Sequence, residues 1–138
     1  MESVSIMFKI RGVKTKMIKR FIDGDLFSKK FFRSLTAEEK VLWFYITTSC
    51  TYDGFWEYDE LQVKLYCNNF EGNIPDIIIE KLGMYRVDED QWFLSKWIIF
   101  QYGILRPSVR PHNRIIERLE RKGLDKEFPE LFRLPRIE

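Results

Sequence analysis

Residues 92–103 read WFLSKWIIFQYG. The run is too apolar for a protein surface and too short to cross a membrane, which takes ~18 or more apolar residues. It leads directly into ILRPSVRPHNRIIERLERKG, residues 104–123, where arginine recurs. Phe93, Leu94, Trp97 and Ile98 fit a helix about as well as a strand; aromatic and β-branched enrichment, with no helix cap, decides for a strand. Just upstream, Met84-Tyr85-Arg86-Val87 is a short extended segment, and Asp88-Glu89-Asp90-Gln91 is a polar connector of hairpin length. Residues 84–100 are accordingly expected to form a β-hairpin whose second arm is buried.

Working back from the hairpin, LTAEEKVLWFYITTSC (35–50) carries a capping box, Thr36 with Glu39 three residues on. Each of those side chains satisfies an amide that a helix start leaves unpaired. Val41, Leu42, Phe44, Tyr45 and Thr48 then give a stripe of helical spacing. Asp53-Gly54 marks a turn into a short extended segment with Phe55, Trp56 and Tyr58. DELQVKLYCNN (59–69) is a second helix, with Asp59 and Glu60 in its first turn and Asn68-Asn69 as its breaker. NIPDIIIEKLG (73–83) is a third, with Asn73 as cap, Pro75 in the first turn and Gly83 just past the end. The second and third helices form a helix-turn-helix pattern. Three helices, a strand after the first and a hairpin after the third predict an α+β, winged helix-turn-helix fold with an extra C-terminal helix.

That extra helix spans about His112 to Lys122, ended by Gly123. Ile115, Ile116 and Leu119 make its apolar edge, and Arg114, Arg118 and Arg121 stand at i, i+4 and i+7 with Lys122 alongside. The greasy segment anchors the sheet in the core and holds this basic helix at a fixed distance from it. Beyond it, Phe128, Leu131 and Phe132 of EFPELFRL fall at helical spacing, so the tail is expected to dock as an amphipathic segment. The chain divides into a basic arm (1–20), the winged-helix domain (21–105), the basic helix (106–124) and the tail (125–138).

Composition narrows the function. A hydrophobic content of 45% with 16% aromatics excludes wholesale disorder. The N-terminus MESVSIMFKIRG lacks a signal-peptide layout, and no run is long enough for a membrane helix. Cys50 and Cys67 are expected as reduced thiols in a cytoplasm, and with one histidine, His112, a Cys/His zinc site is not expected. The net charge of +2 is segregated: nine Lys/Arg against three acids in residues 1–35, four against twelve in 36–92, and ten against six in 93–138. Two electrostatic faces are one reading of this; a solvated acidic surface is the other.

KRFIDGDLFSKKFFRSLTAEEKVLWFYITTSCTYDGFWEY (19–58), the segment WFLSKWIIFQYG, and then RPSVRPHNRIIERLERKGL (106–124) resemble the N-terminal winged-helix domains of phage replisome organisers and DnaD-like primosomal proteins. The likeness lies in the order of Phe32 to Lys40, Gly54-Phe55, Trp97 to Gln101 and Pro111-His112, and covers roughly residues 17 to 124. It implies a cytoplasmic, non-enzymatic protein that binds double-stranded DNA at a replication origin, forms a homo-oligomer, and engages a replicative helicase or its loader. Members usually continue into a helical C-terminal domain that contacts DNA and helicase, for which 138 residues leave no room.

DNA contact needs Lys, Arg, Asn or Gln on an accessible face. The third helix offers Asp76, Glu80 and Lys81, and two carboxylates facing a polyanion repel it. The DNA-binding candidates are therefore the basic ends: Lys14, Lys16, Lys19 and Arg20 before the first helix, and Arg106, Arg110, Arg114, Arg118 and Arg121 after the wing. For any one arginine, pairing with Glu117 or Glu120 is the simpler account; as a cluster, phosphate binding is favoured. Asp23-Gly24-Asp25 and Asp88-Glu89-Asp90 read as turns, because no base, nucleophile or phosphate loop accompanies them. Neither a metal nor another cofactor is expected. Trp43, Trp56, Trp92 and Trp97 are read as core. Met7, Phe8 and Ile10 precede any compact element, and self-association is expected through that arm or through the hairpin. The alternatives are a protein-docking module without DNA contact, and a winged-helix transcription regulator.

Overall fold

Thr36 opens the first long helix as the capping box requires: its hydroxyl accepts from the Glu39 amide at 3.1 Å, and the Glu39 carboxylate accepts from the Thr36 amide at 2.8 Å. That helix, α2 (Ala37–Ser49), follows a single α-helical turn, α1 (Lys30–Arg33), in a computed structural model that describes residues 19–132. Leu42 and Ile46 of α2 are buried, whereas Val41 of the expected stripe faces outward. The chain then runs through β1 (Phe55–Glu57), α3 (Glu60–Tyr66), α4 (Asp76–Leu82), β2 (Met84–Arg86), β3 (Gln91–Leu94), α5 (Ser95–Tyr102) and α6 (Arg110–Arg121). The described residues are thus mixed α+β, with six α-helices and one three-stranded antiparallel sheet of order β1-β3-β2. Phe55 faces Phe93 across one ladder, and Met84 faces Leu94 across the other.

Turn chemistry sets the connections. Gly54 has φ 84°, and a Cβ there would lie 2.7 Å from Ile98 Cγ1, so only glycine lets the β1 turn pack this closely on α5. Asp59 caps α3, accepting from the Gln62 amide, and Asn68 and Asn69 open the connection to α4 with left-handed backbone. The expected cap of α4, Asn73, is not used. Pro75 holds the N-cap position without a side-chain bond, its ring conformation supplying the entry to the helix.

The hairpin expected over 84–100 is corrected: the strand stops at Leu94, and Ser95–Tyr102 is helical. Its ladder partners end first. The Leu94 amide donates to the Gly54 carbonyl and the Ser95 amide to the Gly83 carbonyl, and no strand residue lies opposite those that follow. Backbone groups entering the interior beyond that point must then pair within their own segment, which a helix does. Leu94, Trp97 and Ile98 meet that demand at helical spacing, and all three are buried.

Pro111 sits in the first turn of α6, which begins two residues earlier than expected. His112 Nδ1 accepts from the Arg106 amide at 3.0 Å, fixing the chain as it enters the helix. Ile115 and Leu119 are fully buried, so α6 shares one core with Phe32, Ile78 and Phe93. Residues 125–132 of the tail dock on the same core, through a single 3-10 turn, Pro129–Leu131. Leu131 is buried, its carbonyl accepts from the Leu105 amide at 2.7 Å, and Phe128 packs against Phe93 and Tyr85. Lys14, Lys16 and the Met7, Phe8 and Ile10 group lie outside the described residues.

Candidate nucleic-acid interface

An α-helix turns 100° per residue, so the buried Ile115 and Leu119 define one edge of α6 and leave Arg110, Arg114 and Arg121 close to the opposite side. All three are exposed, as is Arg106 just before the helix. Glu117 falls within the same stripe and accepts a bond from the Asn113 amide group at 2.8 Å. No Arg–Glu ion pair forms along α6 at bonding distance among the described residues.

Arg118 departs from the expected basic face. It flanks the buried edge, and its Nη1 lies 3.0 Å from Oδ2 of Asp53, a carboxylate only 2% exposed. The guanidinium also stands 4.4 Å from the centre of the Phe55 ring. The other Asp53 oxygen accepts from the Thr51 hydroxyl. Buried carboxylates need this kind of bonded, charged partner, and Arg118 ties α6 to the turn before β1. Lys122 is likewise engaged, donating to Gln91 Oε1 at 2.9 Å.

Arg20 is also drawn inward. It donates to the carbonyls of Thr47 and Cys50 at 3.1 and 2.6 Å and stacks 5.4 Å from the Trp97 ring. A cation over the last carbonyls of α2 meets the negative end of that helix's dipole. Beside it the Cys50 thiol is pushed up to about 12 by burial, partly opposed by the Arg20 charge. Of the basic residues expected at the N-terminal end, Lys19 is exposed.

The other acidic clusters are turns. Asp23 accepts from the Asp25 amide and pairs with Lys29, which holds its carboxyl below the ordinary value; Asp88 accepts from the amides of Asp90 and Gln91. Among the described residues, no three His, Cys, Asp or Glu side chains gather where a metal ion could be held, and no helix is long and apolar enough to cross a membrane. On α4, Asp76, Glu80 and Lys81 are exposed, as expected. Trp56 and Trp97 are buried, Trp43 and Trp92 half-buried. Sequence reasoning missed two surfaces: an apolar groove between α2 and α5, and a leucine pair facing outward from α3. The second had a signal, because Leu61 and Leu65 share one side of α3 while Val63 and Cys67 take the other.

Comparisons with family models, with curated proteins and with solved structures found no match to this chain.

Proposed function

We propose that this chain is a winged-helix module that binds duplex DNA without sequence choice, of the replisome-organiser type that acts in phage or bacterial replication initiation. The observation that carries DNA binding is the stripe of Arg110, Arg114 and Arg121, with Arg106, on the solvent side of a helix whose other edge is locked into the core. Such a helix presents its charges to phosphates at a fixed spacing, giving affinity that is independent of sequence and sensitive to salt. The winged-helix assignment is supported by the order α2-β1-α3-α4-β2-β3 and by the sheet order β1-β3-β2. Homo-oligomerisation, a helicase or loader partner and a cytoplasmic setting follow from the replisome-organiser reading. α4 is not its DNA reader, because Asp76 and Glu80 face outward.

The test is duplex binding by the full chain. Arg110, Arg114 and Arg121 changed together to Gln should weaken binding to every duplex alike, and Asp76 and Glu80 changed to Ala should strengthen it slightly or leave it unchanged. A silent arginine triple, with substitutions at Asn73 and Lys81 abolishing recognition of one sequence, would restore α4 as the reader and favour a transcription regulator. Absence of binding at low salt would favour the second reading, a protein-docking module, which the outward leucines of α3 support.

A further inference from the structure

Two surfaces are complementary in both shape class and charge. The first is the groove between α2 and α5, a cavity of about 240 Å³ whose apolar lining includes Phe31, Trp43, Trp97 and Phe100. Lys29, Lys81 and Lys96 stand around it, all exposed, with Asp23 paired to Lys29, so the rim is net positive. Phe100 at its edge is 50% exposed.

The second is the outer side of α3. Leu61 and Leu65, four apart on one face, are 76% and 70% exposed, and Tyr66 beside them is 59% exposed. The inner side of the same helix is already satisfied by the buried Val63 and Cys67. Residues 57–71 carry Glu57, Asp59, Glu60 and Glu71 against Lys64 alone, and Lys64 is bridged to both Glu60 and Glu71. A leucine pair on a segment of net negative charge is what an apolar groove rimmed by lysines would bind.

The surfaces cannot meet within one molecule. On α2, Trp43, Phe44 and Thr47 line the groove, while Tyr45 stacks on Tyr66 and bonds Gln62 of α3 from the far side of the helix. We infer that α3 of one copy seats Leu61 and Leu65 in the lysine-rimmed groove of a second copy, a head-to-tail contact. Because donor and acceptor surfaces differ, every copy keeps one of each, and the contact propagates into a ring or an open filament. Charge argues against the rival occupant, this chain's own residues 1–18: they carry four Lys/Arg against one acid and would face lysines. The contact uses none of the α6 arginines, so it stands or falls apart from DNA binding.

Sedimentation of the full chain over a concentration series, without DNA, is the test. The wild type should grow in size with concentration, and high salt should weaken that growth. Leu61→Ser with Leu65→Ser removes the inserted side chains, and Lys81→Glu with Lys96→Glu reverses the groove's rim. Each double variant alone should stay monomeric, with association weakened at least about tenfold. Mixed, they should form a 1:1 dimer and stop there, since one keeps only its groove and the other only its α3 face. Circular dichroism and thermal melts matching the wild type would show that both are folded. A wild type that stays monomeric at high concentration would overturn the inference. So would double variants that still assemble, or assembly lost only on deleting residues 1–18.

Discussion

Arg118 ties α6 to the turn before β1 through a carboxylate almost closed to water. Its partner Asp53 is 2% exposed, while the arginine keeps 28% of its side-chain surface. Arg118→Met leaves that carboxylate buried without its cation, and equilibrium denaturation should show a loss of about 3 kcal/mol, the low end for breaking a buried pair. A loss below about 0.5 kcal/mol would place the pair among surface ion pairs of little consequence. Asp53 is legible as a turn residue before Gly54, but its burial is not, since it depends on α6 crossing the β1 turn some 65 residues later in the chain. The Cys50 thiol offers a second residue-scale check. Burial raises it from 9.0 to about 12, so its contribution to stability is complete below pH 9 and is lost as pH rises toward 12. Tyr45 and Tyr102, also raised by burial, act in the same direction above their ordinary 10.0. The readout is therefore a difference: Cys50→Ala should lower stability at neutral pH yet flatten its fall between pH 9 and 12. An unchanged slope would mean that the thiol titrates alike folded and unfolded.

At the scale of elements, the instructive segment is residues 91–102, where strand and helix share one apolar run without a break. Propensity reads such a run as one element. The switch at Ser95 comes instead from pairing: β1 and β2 are three residues each, and when they end the central strand has nothing left to bond. Elements fixed by local chemistry are legible, including the Thr36 capping box and the glycine after α4; Asp59, expected in the first turn of α3, is instead its N-cap. Gly83 couples both kinds of information. It has φ 61°, its carbonyl accepts from both the amide and the hydroxyl of Ser95, and a Cβ there would lie 2.7 Å from the Lys96 nitrogen. Gly83→Ala should therefore cost at least about 2 kcal/mol, from left-handed backbone strain and the clash together. A thermal melt within a degree of the wild type would show that the start of α5 can shift to make room.

For the molecule as a whole, the charge segregated along the sequence falls on different elements of the fold. The acidic middle places Asp59, Glu60 and Glu71 around α3 and Asp76 and Glu80 on α4, while Arg106, Arg110, Arg114 and Arg121 stand exposed before and along α6. Of the basic residues read from the sequence as DNA contacts, the structure draws Arg20 and Arg118 into bonds of the fold and leaves Lys19, Arg106, Arg110, Arg114 and Arg121 accessible. Periodicity alone could not separate these: Arg114 also precedes a buried residue, Ile115, and what sets Arg118 apart is the Asp53 carboxylate that the fold brings beside it. The measurement that tests the DNA reading most directly is the affinity for two duplexes of unrelated sequence over a salt series. Four accessible arginines on phosphates predict log K falling against log salt with a slope of about −3 to −4 on both duplexes, flattened by up to ~0.9 for each arginine changed to Gln. A slope near zero, or strong binding to only one of the two duplexes, would contradict it.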